Sequence, residues 1–345
     1  MKNLSILFLA LMMFAGLANA QSKGPTFSGL MFGDYYYVLQ NHDQTQKNLA
    51  AFEFRRIYLT TDYAVSDGVW ARFRLESDPT ASNLSNGKLS TMVKDAFLDI
   101  KNVGNGDLVI GLQGTWNINM AEGIFGYRPL EKTIQDLHGI SASRDFGISL
   151  TQKFSDAFST GLLLGNNTGN GDSFLPGTAT NASQARYKSA YLFLQFVPVS
   201  GFTILLDGQY AGAPASKYAK TGDVIVNYMT KEFGLGVQGF INAVDHGESN
   251  GSTMVRNGIS FNGWLGLTDE LRLVGRFDSF DPNTTVRGSI ANSSQNFILG
   301  GLDWAFRKNI HFMPNVELTH YAYSDASGNA AKDDLLARAT FFFSF

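Results

Sequence analysis

Hydrophobic and polar side chains alternate with a period of two along most of the chain. Residues 69–76 read VWARFRLE, with apolar residues at the odd positions and Trp, Arg, Arg and Glu at the even ones. Residues 271–278 read LRLVGRFD, again with apolar residues at most odd positions. A period of two is that of a β-strand with one apolar and one polar face.

We predict an all-β chain that forms one antiparallel barrel of about sixteen strands. Short connections rich in Asp, Gly, Asn and Ser favour tight hairpins, and they alternate with longer polar connections. This asymmetry and the even strand number are typical of outer-membrane β-barrels. The predicted strands are residues 26–40, 49–63, 69–78, 93–101, 107–116, 144–153, 158–166, 185–197, 202–213, 223–229, 233–245, 257–267, 271–281, 295–306, 310–323 and 335–345.

The C-terminal strand indicates which face of the barrel is apolar. Residues 335–345 read LLARATFFFSF, with phenylalanine at 341, 343 and 345. In a transmembrane barrel these rings would form an aromatic girdle facing lipid, while the polar face lines the lumen. The ending resembles the closing strand of bacterial outer-membrane barrels, in which a terminal Phe serves as the assembly signal. The alternative, an edge strand of a secreted sandwich, would leave an apolar edge unprotected.

The first twenty residues read as a secretory leader. Lys2 precedes an apolar stretch from Ile6 to Gly16, and residues 18–20 are the small-residue cleavage site Ala-Asn-Ala. The barrel would then be residues 21–345. Removing Lys2 leaves 26 Lys and Arg against 30 Asp and Glu, a net charge of −4. That weak acidity argues against a nucleic-acid partner.

The composition agrees with an all-β membrane barrel. The chain has 36 Gly, 28 Phe and 13 Tyr but only 8 Pro, which favours strands over helices. A hydrophobic fraction of 44% looks like that of a soluble protein, but a barrel buries only every second side chain in lipid. The chain contains no cysteine, so disulfides and thiolate metal sites are excluded. The five histidines show no metal-ligand spacing, and we expect no cofactor.

Sixteen strands would enclose a water-filled lumen, which an inward-folded loop could narrow. The third long connection, Asn117–Ser143, is the longest, and Pro129–Gly139 within it reads as a short helix with Pro at its start and Gly at its end. We expect an apolar stripe to pack on the inner wall and five polar residues to face the opening; an external cap is the alternative. The stripe is Leu130, Ile134 and Leu137, and the polar residues are Glu131, Lys132, Gln135, Asp136 and His138.

The wall that faces this loop is predicted to be basic. Arg72 and Arg74 share one face of a strand, whereas a regular strand allows only one of Arg55 and Arg56 to face the lumen. Pairing favours Arg56, beside Glu76. Lumenal arginines attract anions, but neighbouring carboxylates could neutralise them, and both outcomes remain open. The candidate pore-lining residues are Arg56, Arg72, Arg74, Glu76, Asp95, Asp99, Arg128, Glu131, Lys132, Asp136, Arg144, Arg272 and Arg276.

Four segments resemble the N-terminal half of the phosphate-selective porin (O and P type) superfamily. They are residues 52–59 (FEFRRIYL), 93–100 (VKDAFLDI), 108–113 (LVIGLQ) and 143–148 (SRDFGI). The resemblance implies a sixteen-stranded, trimeric, passive porin. Phosphate-selective members line their pore with an arginine ladder and loop lysines, whereas Lys132 stands alone on the third loop here. The resemblance therefore implies the fold and porin activity, not phosphate selectivity.

The sequence favours a general diffusion porin of the bacterial outer membrane, not an enzyme. Its expected partners are the lipid bilayer, small hydrophilic solutes or anions, and two further copies of the chain. One alternative is an outer-membrane enzyme of the lipase or phospholipase kind, which would need a Ser-His pair that no spacing singles out. The other is an adhesive or structural barrel whose loops bind a partner.

Overall fold

A computed structural model describes residues 24–79, 84–85, 88–167, 187–212, 217–248, 250–286, 289–324 and 327–345. The predicted leader, residues 1–20, lies outside the described residues. Within these ranges no helix is both long and apolar enough to cross a bilayer.

Sixteen antiparallel strands form a closed barrel in which each strand pairs with its neighbours in sequence. This confirms the predicted fold class and strand number. The barrel strands are β1 (Thr26–Gln40), β2 (Ala50–Ser66), β3 (Val69–Ser77), β6 (Thr91–Val103), β7 (Gly106–Gly114), β8 (Arg144–Ser155), β9 (Phe158–Gly165), β10 (Ser189–Val199), β11 (Phe202–Gly212), β12 (Tyr218–Met229), β13 (Phe233–Val244), β14 (Met254–Gly266), β15 (Leu271–Asp281), β16 (Gln295–Arg307), β17 (Ile310–Tyr321) and β18 (Asp334–Ser344).

The remaining elements lie in the long connections. Strands β4 (Leu84–Ser85) and β5 (Lys88–Leu89) form a small separate hairpin, and a 3-10 helix spans Ile290–Asn292. Two helices, α1 (Trp116–Phe125) and α2 (Ile134–Leu137), belong to the third long connection. We call this connection, residues 115–143, loop 3.

The barrel is apolar outside and polar inside, as the outer-membrane interpretation requires. On β15, Leu273 points outward and is 48% exposed, while its neighbour Val274 is 1% exposed inside. Outward Phe261 on β14 and Ile298 on β16 are each 46% exposed. Buried polar side chains such as Gln113, Asn242 and Asp278 lie on the opposite face of their strands. The alternation predicted from sequence is therefore present with its apolar face outward.

Strand β12 starts well before the residue that the sequence pattern suggests. Strand β12 begins at Tyr218 instead of residue 223, which shortens the preceding loop. Residues 218–222 read YAKTG, so polarity does not mark them as strand. The ammonium group of Lys220 lies 4.5 Å from the ring centroid of Tyr218, near the rim of the barrel. Polar residues are tolerated on both faces at a rim, because neither face there is buried in lipid.

The barrel closes where the first and last strands pair. Leu30 pairs with Ser344 and Gly33 with Phe341. The amide of Gly29 donates to the carbonyl of Phe345 at 3.1 Å, and the amide of Phe345 donates back at 3.0 Å. The Phe345 ring, 61% exposed, stacks on Phe343 at 6.0 Å between centroids. The last residue thus adds one backbone pair and one outer ring to the closing seam.

Deleting Phe345 should lower the yield of assembled barrel, because the seam loses its final pair of backbone hydrogen bonds and the terminal ring. The fraction of heat-resistant folded protein in outer-membrane preparations measures this yield. Replacing Phe154, an outward ring at 65% exposure far from the seam, with Leu is the control. A deletion variant that assembles as well as the control would show that closure does not depend on Phe345.

Candidate channel constriction

Loop 3 folds into the barrel and packs on its inner wall, as predicted. Ala121 of α1 lies in a cluster of buried side chains with Phe193, Leu205 and Ile225 from β10 to β12. Leu130 lies in a second cluster with residues of β14 to β17, and Ile134 in a third with Phe240 and Phe280. Because these wall residues point inward, the loop occupies the lumen and is not an external cap.

Helix α1 is the element that sequence analysis missed. Its residues were predicted to be the end of a strand followed by loop. Two residue types could have indicated it: threonine at 115, a type favoured at the N-cap, and glycine at 126, a type favoured after the last turn. Gly126 ends the helix with φ of 74°, whereas the Thr115 hydroxyl donates to the carbonyl of Ala142 and does not cap the helix. Apolar residues at 116, 120, 121 and 124 recur at helical spacing and form the packed face.

The helix predicted over Pro129–Gly139 is shortened to Ile134–Leu137 because barrel side chains bind the preceding carbonyl groups. Arg55 Nη1 donates to the carbonyls of Pro129 and Leu130 at 3.0 and 2.7 Å. Arg276 Nη1 donates to the carbonyl of Lys132. Because these carbonyls accept hydrogen bonds from side chains of the barrel wall, the segment does not form the regular backbone hydrogen bonds of a helix.

The buried part of the apolar stripe lies as predicted, whereas two of the polar residues of this segment do not. Leu130 and Ile134 are fully buried against the wall, as expected. Glu131 and Gln135, which were expected to face the opening, are also buried, at 7% and 0% exposure. His138 stacks on Phe280 with centroids 3.7 Å apart. Because the segment is short and is not a regular helix, helical periodicity does not predict which of its side chains face the barrel wall and which face the opening.

An ion-pair cluster at the closing seam holds the tip of loop 3; we call it the seam cluster. It consists of Asp34 on β1, Arg55 on β2, Glu131 on loop 3, Glu317 on β17 and Arg338 on β18. Arg338 Nη1 lies 3.1 Å from Glu131 Oε2 and 2.6 Å from Glu317 Oε1. Arg55 lies 3.3 Å from Glu131 and 3.5 Å from Asp34.

The charge of Glu131 is maintained by this cluster. Burial alone would raise the pKa of the Glu131 carboxyl, but Arg55 and Arg338 together hold that pKa well below its usual range. The carboxylate is therefore ionised at neutral pH. Its contribution to stability is present above the ordinary glutamate pKa and is lost as the pH falls toward the folded value.

A β-bulge brings both Arg55 and Arg56 into the lumen, so the prediction that only one could face inward is wrong. Phe32 pairs with Arg56 and the next residue, Gly33, pairs with Phe54, which leaves Arg55 as the extra residue. A second bulge on β6 leaves Lys94 extra, between the partners of Arg74 and Leu75. One extra residue resets the alternation, so two consecutive side chains can share a face.

The basic wall consists of Arg56 on β2, Arg74 on β3 and Arg144 on β8. The carboxylates that pair with these arginines are buried behind them. Arg56 Nε lies 3.0 Å from Glu76 Oε1, and Lys94 Nζ lies 2.7 Å from Glu76 Oε2. Asp95 accepts from Arg74 at 3.0 Å and also from Arg144. Glu76 and Asp95 are 0% and 3% exposed. Each buried carboxylate thus has two cationic partners.

Loop 3 contributes one further arginine beside this wall. Arg128 Nε donates to Glu122 Oε1 at 2.7 Å, and its Nη2 lies 3.8 Å from Asp136. Its guanidinium carbon is 5.6 Å from the centroid of the Phe32 ring on β1, and that of Arg56 is 5.8 Å from the same centroid. The loop arginine therefore lies close to Arg56 on the barrel wall.

A cavity of about 880 Å³ lies between loop 3 and the barrel wall, extending toward the short turn at residues 229–231; we call it the chamber. Its cationic lining residues outnumber its acidic ones, because Glu76 and Asp95 sit behind the wall. The lining acids are Glu122 and Asp303. The lining cations are Arg56, Arg74, Arg128, Arg144, Lys231 and Arg272.

Several predicted residues lie away from the chamber. Arg72 pairs with Asp62 at 2.7 Å. Asp99 pairs with Lys101, also at 2.7 Å. Arg276 is buried, and its Nε donates to Asp278 Oδ1 at 2.8 Å beneath loop 3. In the described part of the structure, the chamber is not lined by Arg72, Asp99 or Arg276.

Several charged residues of the seam cluster, the basic wall and the chamber lie outside the predicted set, among them Arg55, Lys94 and Arg338. Arg55 and Lys94 were missed because bulges do not show in a period-two pattern. Arg338 had a signal, since it lies on the polar face of the C-terminal strand together with Thr340. Its partner Glu131 is more than 200 positions away in sequence, so the pair could not be inferred from local pattern.

Solved outer-membrane porins share the fold. An anion-selective porin from Comamonas acidovorans matches with a TM-score of 0.65 at 10% identity, over 93% of this chain and 99% of its own. OmpF of Salmonella typhi, in complex with daunomycin, matches at 0.66 and 12% identity, over 93% of this chain and 97% of its own. The trimer form of OmpT from Vibrio cholerae matches at 0.62 and 12% identity, over 93% and 99%.

No protein-family model and no curated protein matches the sequence. The resemblance to the phosphate-selective superfamily is therefore not confirmed. The structural similarity, at such low identity, establishes that the chain has the barrel fold found in outer-membrane porins.

Replacing Arg55 with Gln should destabilise the barrel by about 2 kcal/mol, because Asp34 and Glu131 lose a charged partner and keep only Arg338. The urea midpoint of unfolding in detergent micelles measures the change. Arg72→Gln is the matched control: its pair with Asp62 is about one-third exposed, so the expected cost is below about 1 kcal/mol. Equal midpoints for the two variants would contradict the anchoring role of Arg55.

Proposed function

We propose that the chain is a bacterial outer-membrane porin whose water-filled channel passes small hydrophilic solutes by diffusion, with a preference for anions. The observation that carries the proposal is the chamber beside loop 3, where six cationic side chains and two acidic ones line the wall. The closed sixteen-strand barrel supports it, since barrels of this size leave an aqueous lumen.

The arrangement of charges supports the anion preference. Arg56 and Arg74 lie between buried carboxylates and the open chamber, so a permeating ion meets the cations first. A carboxylate behind an arginine weakens the electric field of that arginine in the chamber, but it leaves guanidinium N–H groups at the chamber surface. These groups can replace part of the hydration shell of an anion. Neutralisation by Glu76 and Asp95, the alternative left open by the sequence, is then incomplete at the chamber.

The same proposal covers location and assembly. Residues 1–20 would direct export and be removed, which leaves residues 21–345 to assemble in the outer membrane. The apolar outer surface fits a lipid bilayer. A homotrimer is proposed because one structurally similar protein is a trimer form. An enzyme is not favoured, since the charged residues gathered in the lumen are arginine–carboxylate pairs and not a nucleophile with a base.

Reconstitution in planar bilayers tests the proposal. The purified barrel should give discrete, ohmic conductance steps, and the zero-current potential in a potassium chloride gradient should have the sign of chloride preference. Heat-unfolded protein is the control for detergent leakage. Absence of steps from folded protein, or a potential of the cation-selective sign, would contradict the porin proposal or its anion preference respectively.

Changing Arg56 and Arg74 together to Gln should shift the zero-current potential toward cation preference. Folding should survive, because Glu76 keeps Lys94 and Asp95 keeps Arg144 as partners. The shift should be larger at low salt, since the screening length is about 30 Å at 0.01 M and about 3 Å at 1 M.

Arg72→Gln serves as the matched control for this double variant, because Arg72 lies on the same strand as Arg74 but outside the chamber lining. It should leave the zero-current potential close to that of the wild type. If Arg72→Gln shifts the potential as much as the double variant does, charge preference is set outside the chamber.

A further inference from the structure

The chamber has two chemically different walls. One is the basic wall of β2, β3 and β8, with Arg128 of loop 3 beside it. A second part of the lining, from loop 3, β14, β17 and β18, is apolar and largely aromatic, and these residues form what we call the aromatic wall. The aromatic wall comprises Phe125, Tyr127, Trp264, Met313 and Phe342.

The basic wall is held in place by aromatic rings. The guanidinium carbons of Arg56 and Arg74 lie 5.1 and 5.0 Å from the centroid of Tyr58. Arg56 and Arg128 lie on Phe32, at 5.8 and 5.6 Å. Cation–π contact and ion pairing together restrict these long side chains. A ligand therefore meets guanidinium groups that are already ordered and loses less conformational entropy on binding.

The aromatic wall is continuous with a buried cluster and is not needed to conduct inorganic ions. Trp264, Phe125 and Tyr127 belong to the cluster that also holds Leu130. Arg272 lies over the Trp264 ring at 4.3 Å, so a cation borders this wall as well. A hydrated inorganic anion gains little from the faces of aromatic rings, because those faces carry the negative part of the ring quadrupole. Rings do stabilise a ligand that brings its own apolar surface.

We propose that the chamber binds organic anions with a flat apolar body, such as aromatic carboxylates, as permeating substrates. This inference rests on the proposed channel function and names its substrate class. The carboxylate would lie against Arg56, Arg74 and Arg128, and the ring would pack on Trp264 and Phe342. The volume of about 880 Å³ is within the range of roughly 300–1,000 Å³ found for small-molecule sites.

Block of the chloride current by added organic solutes tests this inference on the wild-type channel. Benzoate carries both the charge and the ring, acetate carries only the charge, and benzyl alcohol carries only the ring. Benzoate should halve the single-channel chloride current at a concentration about fivefold lower than acetate, the difference that one aromatic contact supplies. It should also block at a lower concentration than benzyl alcohol, which has no charge for the basic wall to bind.

Trp264→Leu should raise the half-blocking concentration of benzoate several-fold and leave that of acetate unchanged. Phe261→Leu is the matched control, since Phe261 lies on the same strand and faces outward at 46% exposure. Heat-resistant migration on gels verifies that both variants are folded. If Trp264→Leu does not fold, the three-solute comparison on wild-type protein still decides the question.

The outcomes separate this inference from the function on which it rests. Conducting, anion-selective channels that benzoate blocks no better than acetate would overturn the inference and leave the porin intact. Equal block by benzoate and benzyl alcohol would also overturn it, because the basic wall would then play no part. Absence of any conductance steps would overturn the proposed function itself.

Discussion

The ion pairs between Glu131 and the two arginines of the seam cluster fix the position of loop 3, and the shape of the lumen depends on that position. Glu131 is buried where the first and last strands meet, so its carboxylate would be costly without Arg55 and Arg338. Those arginines are in turn held by Asp34 and Glu317. The same charged side chains therefore link the first and last strands of the barrel and hold loop 3 in place.

Acidic and basic side chains lie at different distances from the open space of the lumen. Carboxylates such as Glu76 and Asp95 are buried at the strand surface, and the arginines that cover them border the open space. This layering satisfies buried acids while leaving a basic surface. The β-bulge on β6 contributes by bringing Lys94 to Glu76, whereas the bulge on β2 brings Arg55 to the seam cluster. Loop 3 adds Arg128 beside Arg56, over the same Phe32 ring, so the basic surface along the proposed anion path includes a cation from the loop as well as cations from the barrel.

The sequence predicts the barrel well because its signals are local and repeated. Period-two alternation, hairpin turns and the aromatic C-terminal strand together led to sixteen antiparallel strands, the number observed. Inward folding of loop 3 was also predicted, from the apolar stripe that includes Leu130 and Ile134. These features depend on residues that are close together in the sequence, so they can be predicted without knowledge of the fold.

The constriction was predicted only in part because its contacts join distant segments. Arg56 beside Glu76 followed from the pairing of adjacent strands, whereas the contact of Arg338 with Glu131 links the C-terminus to loop 3. A bulge shifts the alternation by one residue, so Arg55 could not be assigned to the lumen from a regular pattern. Helix α1 had usable capping residues, Thr115 and Gly126, but the preceding strand pattern obscured its start.

The most direct test of the central claim, that loop 3 narrows the lumen, is the single-channel conductance of a chain lacking residues 129–139. This deletion removes the anchored tip together with Leu130, Glu131 and Ile134. The conductance should be larger than that of the wild type, with a weaker preference for chloride. An unchanged conductance from a variant that still migrates as a heat-resistant barrel would show that loop 3 does not narrow the lumen.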